Sequence, residues 1–169
     1  KKLLVFVILF LFSFQLISPC TFAYEYNYDY EYDYGIDFLK AVGLVGGDVS
    51  GDKIITRMEL AKIIYTILYG KSNYSYFEPN VYQDVEERDY PIVIALAEKQ
   101  IMTGLGDGIY GSNNPVTYYQ HIKVLVTFLG YGDNAEIAGG YPMGYLVVGK
   151  QIGLTKKLVQ DGNALVTYS

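Results

Sequence analysis

The sequence predicts an all-α protein built from repeated helix–loop–helix units, and two observations predict it. The same order of parts recurs along the chain: a short apolar helical pattern, a glycine-bounded stop, a loop rich in Gly, Asp and Asn, and a second helical pattern with an apolar stripe. The second helix also opens each time on the same signal. Thr56 is followed three residues later by Glu59, and Thr117 three residues later by Gln120. In such a capping box the hydroxyl and the acid or amide each accept from exposed backbone N–H groups, contributing on the order of 1 kcal/mol per cap.

The elements follow in chain order. Lys1 and Lys2, the apolar run Leu3 to Phe12 and the small residues Thr21 and Ala23 read as a secretory signal peptide over 1–23, cleaved before Tyr24. Its apolar core is shorter than the ~20 residues that span a bilayer. The only cysteine, Cys20, leaves with it, so the exported chain has no disulfide, thiol nucleophile or Cys-based metal site. The segment also removes two of the 13 basic side chains and none of the 18 acidic ones. An acidic exported chain argues against nucleic acid as a partner. Residues 24–35 alternate Tyr with mostly acidic residues and hold no aliphatic side chain before Gly35, which suits a solvated linker.

The first repeat occupies 36–77. Ile36 to Val42 reads as its first helix, Gly43 to Gly46 as the stop, and Arg57 to Tyr69 as the second helix, with Leu60, Ala61, Ile64, Ile67 and Leu68 as its buried stripe. The second repeat occupies 78–133, with helices from Tyr90 to Gln100 and Tyr118 to Leu129, the latter striped by Ile122, Leu125, Val126 and Leu129. The third, 134–169, runs from a helix at Gly144 to Ile152 through the Asp161-Gly162-Asn163 loop and stops at Thr167-Tyr168-Ser169, before its second helix. The chain reads as a piece of a longer protein.

These phrases resemble the S-layer homology domain, whose repeats carry Phe-x-Asp-Val, an aromatic residue opening a helix, a Gly-Ile-x-x-Gly stop, an Asp-Gly loop and an Ile-Thr-Arg-Ala-Glu helix start. Here Tyr82-Gln83-Asp84-Val85, Tyr90, Gln100 to Gly104, Gly106 to Gly111 and Ile55-Thr56-Arg57-Met58-Glu59 stand in those places. The resemblance implies a pseudo-threefold helical bundle whose grooves hold an acidic, often pyruvylated, secondary cell-wall polysaccharide. It implies non-covalent anchoring of an exported protein at the cell surface, with no cofactor and no catalysis. Carried over by position, the polysaccharide-binding residues are Thr56, Arg57, Glu59, Asp84, Tyr90, Thr117 and Tyr118. Arg57 follows its cap directly, where the free N–H groups of a helix start favour an anion and a guanidinium can grip a carboxylate through two parallel bonds. Tyr118 and Tyr168 stand where the other copies would carry that arginine, and a tyrosine can stack on a sugar but not neutralise its charge.

Two other readings compete. Asp48, Ser50, Asp52 and Glu59 fall at positions 1, 3, 5 and 12 of an EF-hand or dockerin-like calcium loop, although Lys53 occupies the place of the turn-making glycine. Alternatively, repeats lacking the arginine serve as a structural spacer within a surface protein. Enzyme signals are weak: the single histidine, His121, has no nucleophile beside it, and Glu86 and Glu87 suit solvent or a helix start better than a catalytic pair. The glycine-rich run Gly104 to Gly108 lacks the strand and the Gly-Lys-Thr of a phosphate loop and reads as a turn.

Overall fold

The computed structural model describes residues 31–71, 81–155 and 161–168, with side chains from Ile36 onward. The signal peptide and the linker as far as residue 30 lie outside the described residues. Six helices and one short 3-10 turn make up the described part: α1 (Glu31–Ala41), α2 (Arg57–Tyr69), the turn Glu87–Asp89, α3 (Tyr90–Glu98), α4 (Tyr118–Phe128), α5 (Gly132–Ile137) and α6 (Met143–Gln151). Among the described residues there is no strand longer than an isolated bridge. No helix among them is long and apolar enough to cross a membrane.

Both capping boxes form. Thr56 Oγ1 accepts from Glu59 N while a Glu59 carboxylate oxygen accepts from Thr56 N at 2.9 Å. Thr117 and Gln120 repeat the arrangement at the start of α4. Helices α2 and α4 accordingly start where expected, and α2 ends at Tyr69 as expected. Helix α1 begins earlier than Ile36, and α3 ends two residues before Gln100.

The three stops share one hydrogen-bond pattern. Gly43 N, Gln100 N and Gly153 N donate to Lys40 O, Ala97 O and Lys150 O, and the next residues, Leu44, Ile101 and Leu154, donate back to Leu39 O, Leu96 O and Gly149 O. These paired bonds satisfy the last carbonyls of each helix by turning the chain through a left-handed residue. Two copies use glycine for that residue, Gly43 and Gly153, but the second copy uses Gln100 at φ 57°.

The segments ahead of the second helices meet at the centre. Val116 N donates to Ile55 O, Ile55 N to Val166 O, and Val166 N to Val116 O, at 2.9–3.0 Å, so three loops close a ring of hydrogen bonds. The same offsets recur beside it: Arg57 N and Met58 N donate to Asn114 O and Ser112 O, and Tyr118 N and Tyr119 N donate to Ala164 O and Gly162 O. Each helix start thus hangs on the loop of the following unit.

One apolar cluster is built from Ile36, the α2 residues Met58, Leu60, Ala61, Ile63 and Ile64, the α3 residues Val93 and Leu96, and Tyr110, Val116 and Tyr168 from loops. A second gathers Ile122 and Val126 of α4 with Ala135, Tyr145, Leu146 and Val148. Helix α2 packs on α3, and α4 packs on α5 and α6. The predicted stripes need correction at their ends. Ile67, Leu68 and Leu129 are exposed, while Met58, Ile63 and Val124 are buried.

Candidate functional site

Arg57 is the first residue of α2, and only 7% of its surface is exposed. Its Nε donates to Tyr110 O at 3.0 Å and one terminal nitrogen donates to Thr103 O at 2.8 Å. The guanidinium carbon sits 5.2 Å from the centre of the Tyr110 ring, a cation–π distance. Burial lowers the Arg57 pKa, but an arginine keeps its charge, so a cation is fixed here. The two named bonds use two of its five N–H donors.

The cage around Arg57 comes from the second unit. Tyr110 is fully buried, packs against the Tyr82 ring at a tilt of 59° with ring centres 5.4 Å apart, and has its hydroxyl pushed up to about 12 by burial. Asp84, one of the expected polysaccharide contacts, shapes the loop: its two carboxylate oxygens accept from the N–H groups of Tyr110, Gly111 and Ser112 at 2.7, 2.7 and 2.9 Å. Desolvation pushes its pKa up, the loop N–H bonds outweigh that, and the carboxyl ends below the usual aspartate value. Gly111 has φ 80°, and a Cβ there would lie 2.7 Å from Leu105 Cδ1 and 3.4 Å from Arg57 Cδ, so the loop can close on the arginine only with glycine.

Beside Arg57 lies a cavity of about 230 Å³. Its wall includes Gln100, Thr103 and Gly104 of the second stop, Gln120 and Lys123 of α4, and Tyr141. Both charged groups on that wall, Arg57 and Lys123, are cations. Lys123 Nζ stands over the rings of Tyr141 and Tyr145 at 5.6 and 6.0 Å. Gln100, Gln120, Lys123 and Tyr141 were not among the expected site residues. The one available signal was that Gln120 and Lys123 share the α4 face one turn apart.

The remaining expected residues fall elsewhere. Thr56, Glu59 and Thr117 are capping groups, and Tyr90 packs against the first apolar cluster. Tyr118 directs its hydroxyl to Thr155 Oγ1 at 3.0 Å, tying α4 to the third stop much as Arg57 ties α2 to the second. Tyr168 is buried with Lys53 Nζ 5.9 Å from its ring centre, and its hydroxyl, bonded to Glu59, is pushed up to about 12, first by burial and then by the Glu59 charge. The calcium alternative finds no cluster. Glu59 is held by its own cap and by Lys53, and Ser50 turns to Asp52. Among the described residues no three acidic, His or Cys side chains are grouped to hold a metal ion.

Residues 81–120, which include Asp84, the second stop, the 110–112 loop and the α4 cap, match the family model of the S-layer homology domain. Over those residues the chain is similar to that domain family. It is 28% identical over 134 residues to the Middle cell wall protein of Brevibacillus brevis, and 29% identical over 125 residues to the Surface layer protein of Brevibacillus choshinensis. Those alignments cover 75% and 70% of this chain but 12% and 11% of the relatives, so the chain spans a small part of their length. Arg57, in the unit before residue 81, lies outside the matched residues, as do Lys123 and Tyr141, on a cavity whose wall Gln100, Thr103, Gly104 and Gln120 of the matched segment share.

Proposed function

We propose that this chain anchors an exported protein non-covalently at the cell wall, and that the Arg57 cavity binds an acidic, pyruvylated sugar of a secondary wall polysaccharide. The observation that carries the reading is a buried, oriented arginine on a cavity whose charged lining is wholly cationic. The first-turn N–H groups of α2 are taken by Asn114 O, Ser112 O and the Thr56 cap, so the helix start adds only its dipole to the positive potential there. A ketal carboxylate facing Arg57 and Lys123 gains charge-assisted hydrogen bonds in a partly desolvated place, and Tyr141 offers a ring face to the sugar. The names of the relatives, a cell wall protein and a surface layer protein, agree with a wall-bound, non-catalytic role.

The reading assigns one carboxylate site to the described residues. Tyr118 and Tyr168 spend their hydroxyls on Thr155 and Glu59 and carry no positive charge, so these positions tie repeats together. In the same reading the ring joining Ile55, Val116 and Val166 is the centre of a pseudo-threefold bundle of three repeats, at 36–77, 78–133 and 134–169.

Co-sedimentation with purified cell-wall sacculi tests the function. The chain is expected to pellet with intact sacculi, to stay in solution after acid extraction of the secondary polysaccharide, and to bind less with Lys123→Ala, whose ammonium is exposed and whose loss leaves the core intact. Equal pelleting before and after extraction would refute polysaccharide binding.

A further inference from the structure

Asp84 does not line the cavity, yet it holds the peptide that holds Arg57. Arg57 Nε donates to Tyr110 O at 3.0 Å, and Gly111 N donates to an Asp84 carboxylate oxygen at 2.7 Å. That carbonyl and that N–H belong to one peptide unit, and in a trans unit they point to opposite sides. One planar group is thus gripped at its two ends, by a carboxylate on one side and a guanidinium on the other. The flanking N–H groups of Tyr110 and Ser112 also donate to Asp84, at 2.7 and 2.9 Å, so the whole turn is gathered on the carboxylate.

Sterics alone do not fix this plane. A peptide unit turns over by opposite changes in the ψ before it and the φ after it, and the residue after it is Gly111, for which positive and negative φ cost nearly the same. Turned over, the unit would face the Arg57 Nε–H with its own N–H, donor against donor. The charge of Asp84 also acts on Arg57 through space: burial, the largest effect, lowers the arginine's pKa, and Asp84 is among the groups that raise it. Asp84 is exposed, however, so water and salt screen that field, whereas the orientation is carried by the rigid peptide plane.

We propose that Asp84 is a positioning residue for ligand binding: by holding the Tyr110–Gly111 peptide it fixes the Arg57 guanidinium in the orientation that presents its remaining donors to an anionic group in the cavity. The proposal rests on the reading of the Arg57 cavity as a carboxylate site and adds what orients its cation. The two effects of Asp84 have opposite signs. As a negative charge it weakens the pull of the cavity on an anion; as the holder of the peptide it strengthens the grip. Removing the charge raises anion affinity if the field dominates and lowers it if positioning dominates, and screening makes positioning the larger effect.

Asp84→Asn in the whole chain tests this by two readings. The first needs no ligand: the NMR signal of the Arg57 Nε–H. The chain has one other arginine, Arg88, whose side chain is 74% exposed, and Arg88→Lys assigns the two signals. In Asp84→Asn the Arg57 signal is expected to move at least half-way towards that of Arg88. The second reading is calorimetric titration with a pyruvyl-ketal hexosamine methyl glycoside and with its methyl ester. The wild type is expected to prefer the acid by at least about tenfold, and Asp84→Asn to cut that preference to about threefold or less with the ester affinity unchanged. Damage to the fold would lower both affinities together. Asp84→Glu, which keeps the charge on a longer side chain, is expected to change both readings in the same direction but by less, whereas a field alone would leave it like the wild type. An unmoved Arg57 signal, or a preference for the acid that is unchanged or wider in Asp84→Asn, would overturn the positioning role while leaving the Arg57 site standing. Equal binding of acid and ester by the wild type would overturn both.

Discussion

Replacing Arg57 by leucine separates what the arginine does for the fold from what it does for a ligand. The perturbation removes a donor to Tyr110 O at 3.0 Å, a donor to Thr103 O at 2.8 Å and a cation 5.2 Å from the Tyr110 ring. Hydrogen bonds from a charged donor contribute about 1.5–3 kcal/mol each, and a desolvated cation–π contact about 1–2 kcal/mol. Against the gross sum of about 5 kcal/mol stands the cost of keeping a guanidinium buried, which leucine does not bear and which recovers a few kcal/mol. The net expectation is a loss of about 2 kcal/mol, because two carbonyls at the edge of a hydrated cavity can turn to water. For a domain of this size that is a fall of about 6 °C in melting temperature. Arg57→Lys is expected to fall about half as far, since an ammonium lacks the planar fork that reaches both carbonyls. Urea denaturation followed by circular dichroism reads the difference. A change below about 0.5 kcal/mol for Arg57→Leu would show that the clamp between α2 and the second stop contributes nothing, and would refute the reasoning.

Asp84→Asn keeps one acceptor but loses the charge that gathers three loop N–H groups, and is expected to destabilise by about 1–2 kcal/mol after allowing for screening at this exposed carboxylate. Because the folded pKa of Asp84 is depressed, its contribution is fully present above the ordinary aspartate value of about 3.9 and is lost as pH falls through the lower folded value. Acid titrations of stability should therefore converge for wild type and Asp84→Asn at low pH. Gly144→Ala places a Cβ 2.0 Å from Ala135 O, a backbone atom that cannot rotate away, so α5 and α6 must part. Thermal unfolding is expected to show a loss near 3 kcal/mol, the upper end of overpacking costs.

Much of the helical framework was legible because it depends on local chemistry. Capping boxes and stops are written within a few neighbouring residues, and Thr56, Thr117 and the Gly43 and Gly153 turns form as read. Helix α5 was missed because Gly132–Ile137 is too short for apolar periodicity and begins on glycine. The site was half legible. The arginine after the cap pointed to an anion-friendly helix start, but its burial depends on Tyr110 and Thr103, 53 and 46 residues away, and nothing near Arg57 encodes them. Asp84 was carried over by position from the family resemblance, and the sequence near it does not show that three backbone N–H groups from a distant loop donate to its carboxylate. Lys123 and Gln100 gained their place only when the cavity assembled around them.

The central claim is that a fixed cation at Arg57 receives a sugar carboxylate. The most direct measurement is calorimetric titration of the chain with a pyruvyl-ketal hexosamine and, in parallel, with its methyl ester, which keeps the shape and removes the charge. Binding of the acid, weakened by added salt, with loss of at least about tenfold in affinity for the ester, is the predicted result. Equal affinity for acid and ester would contradict it.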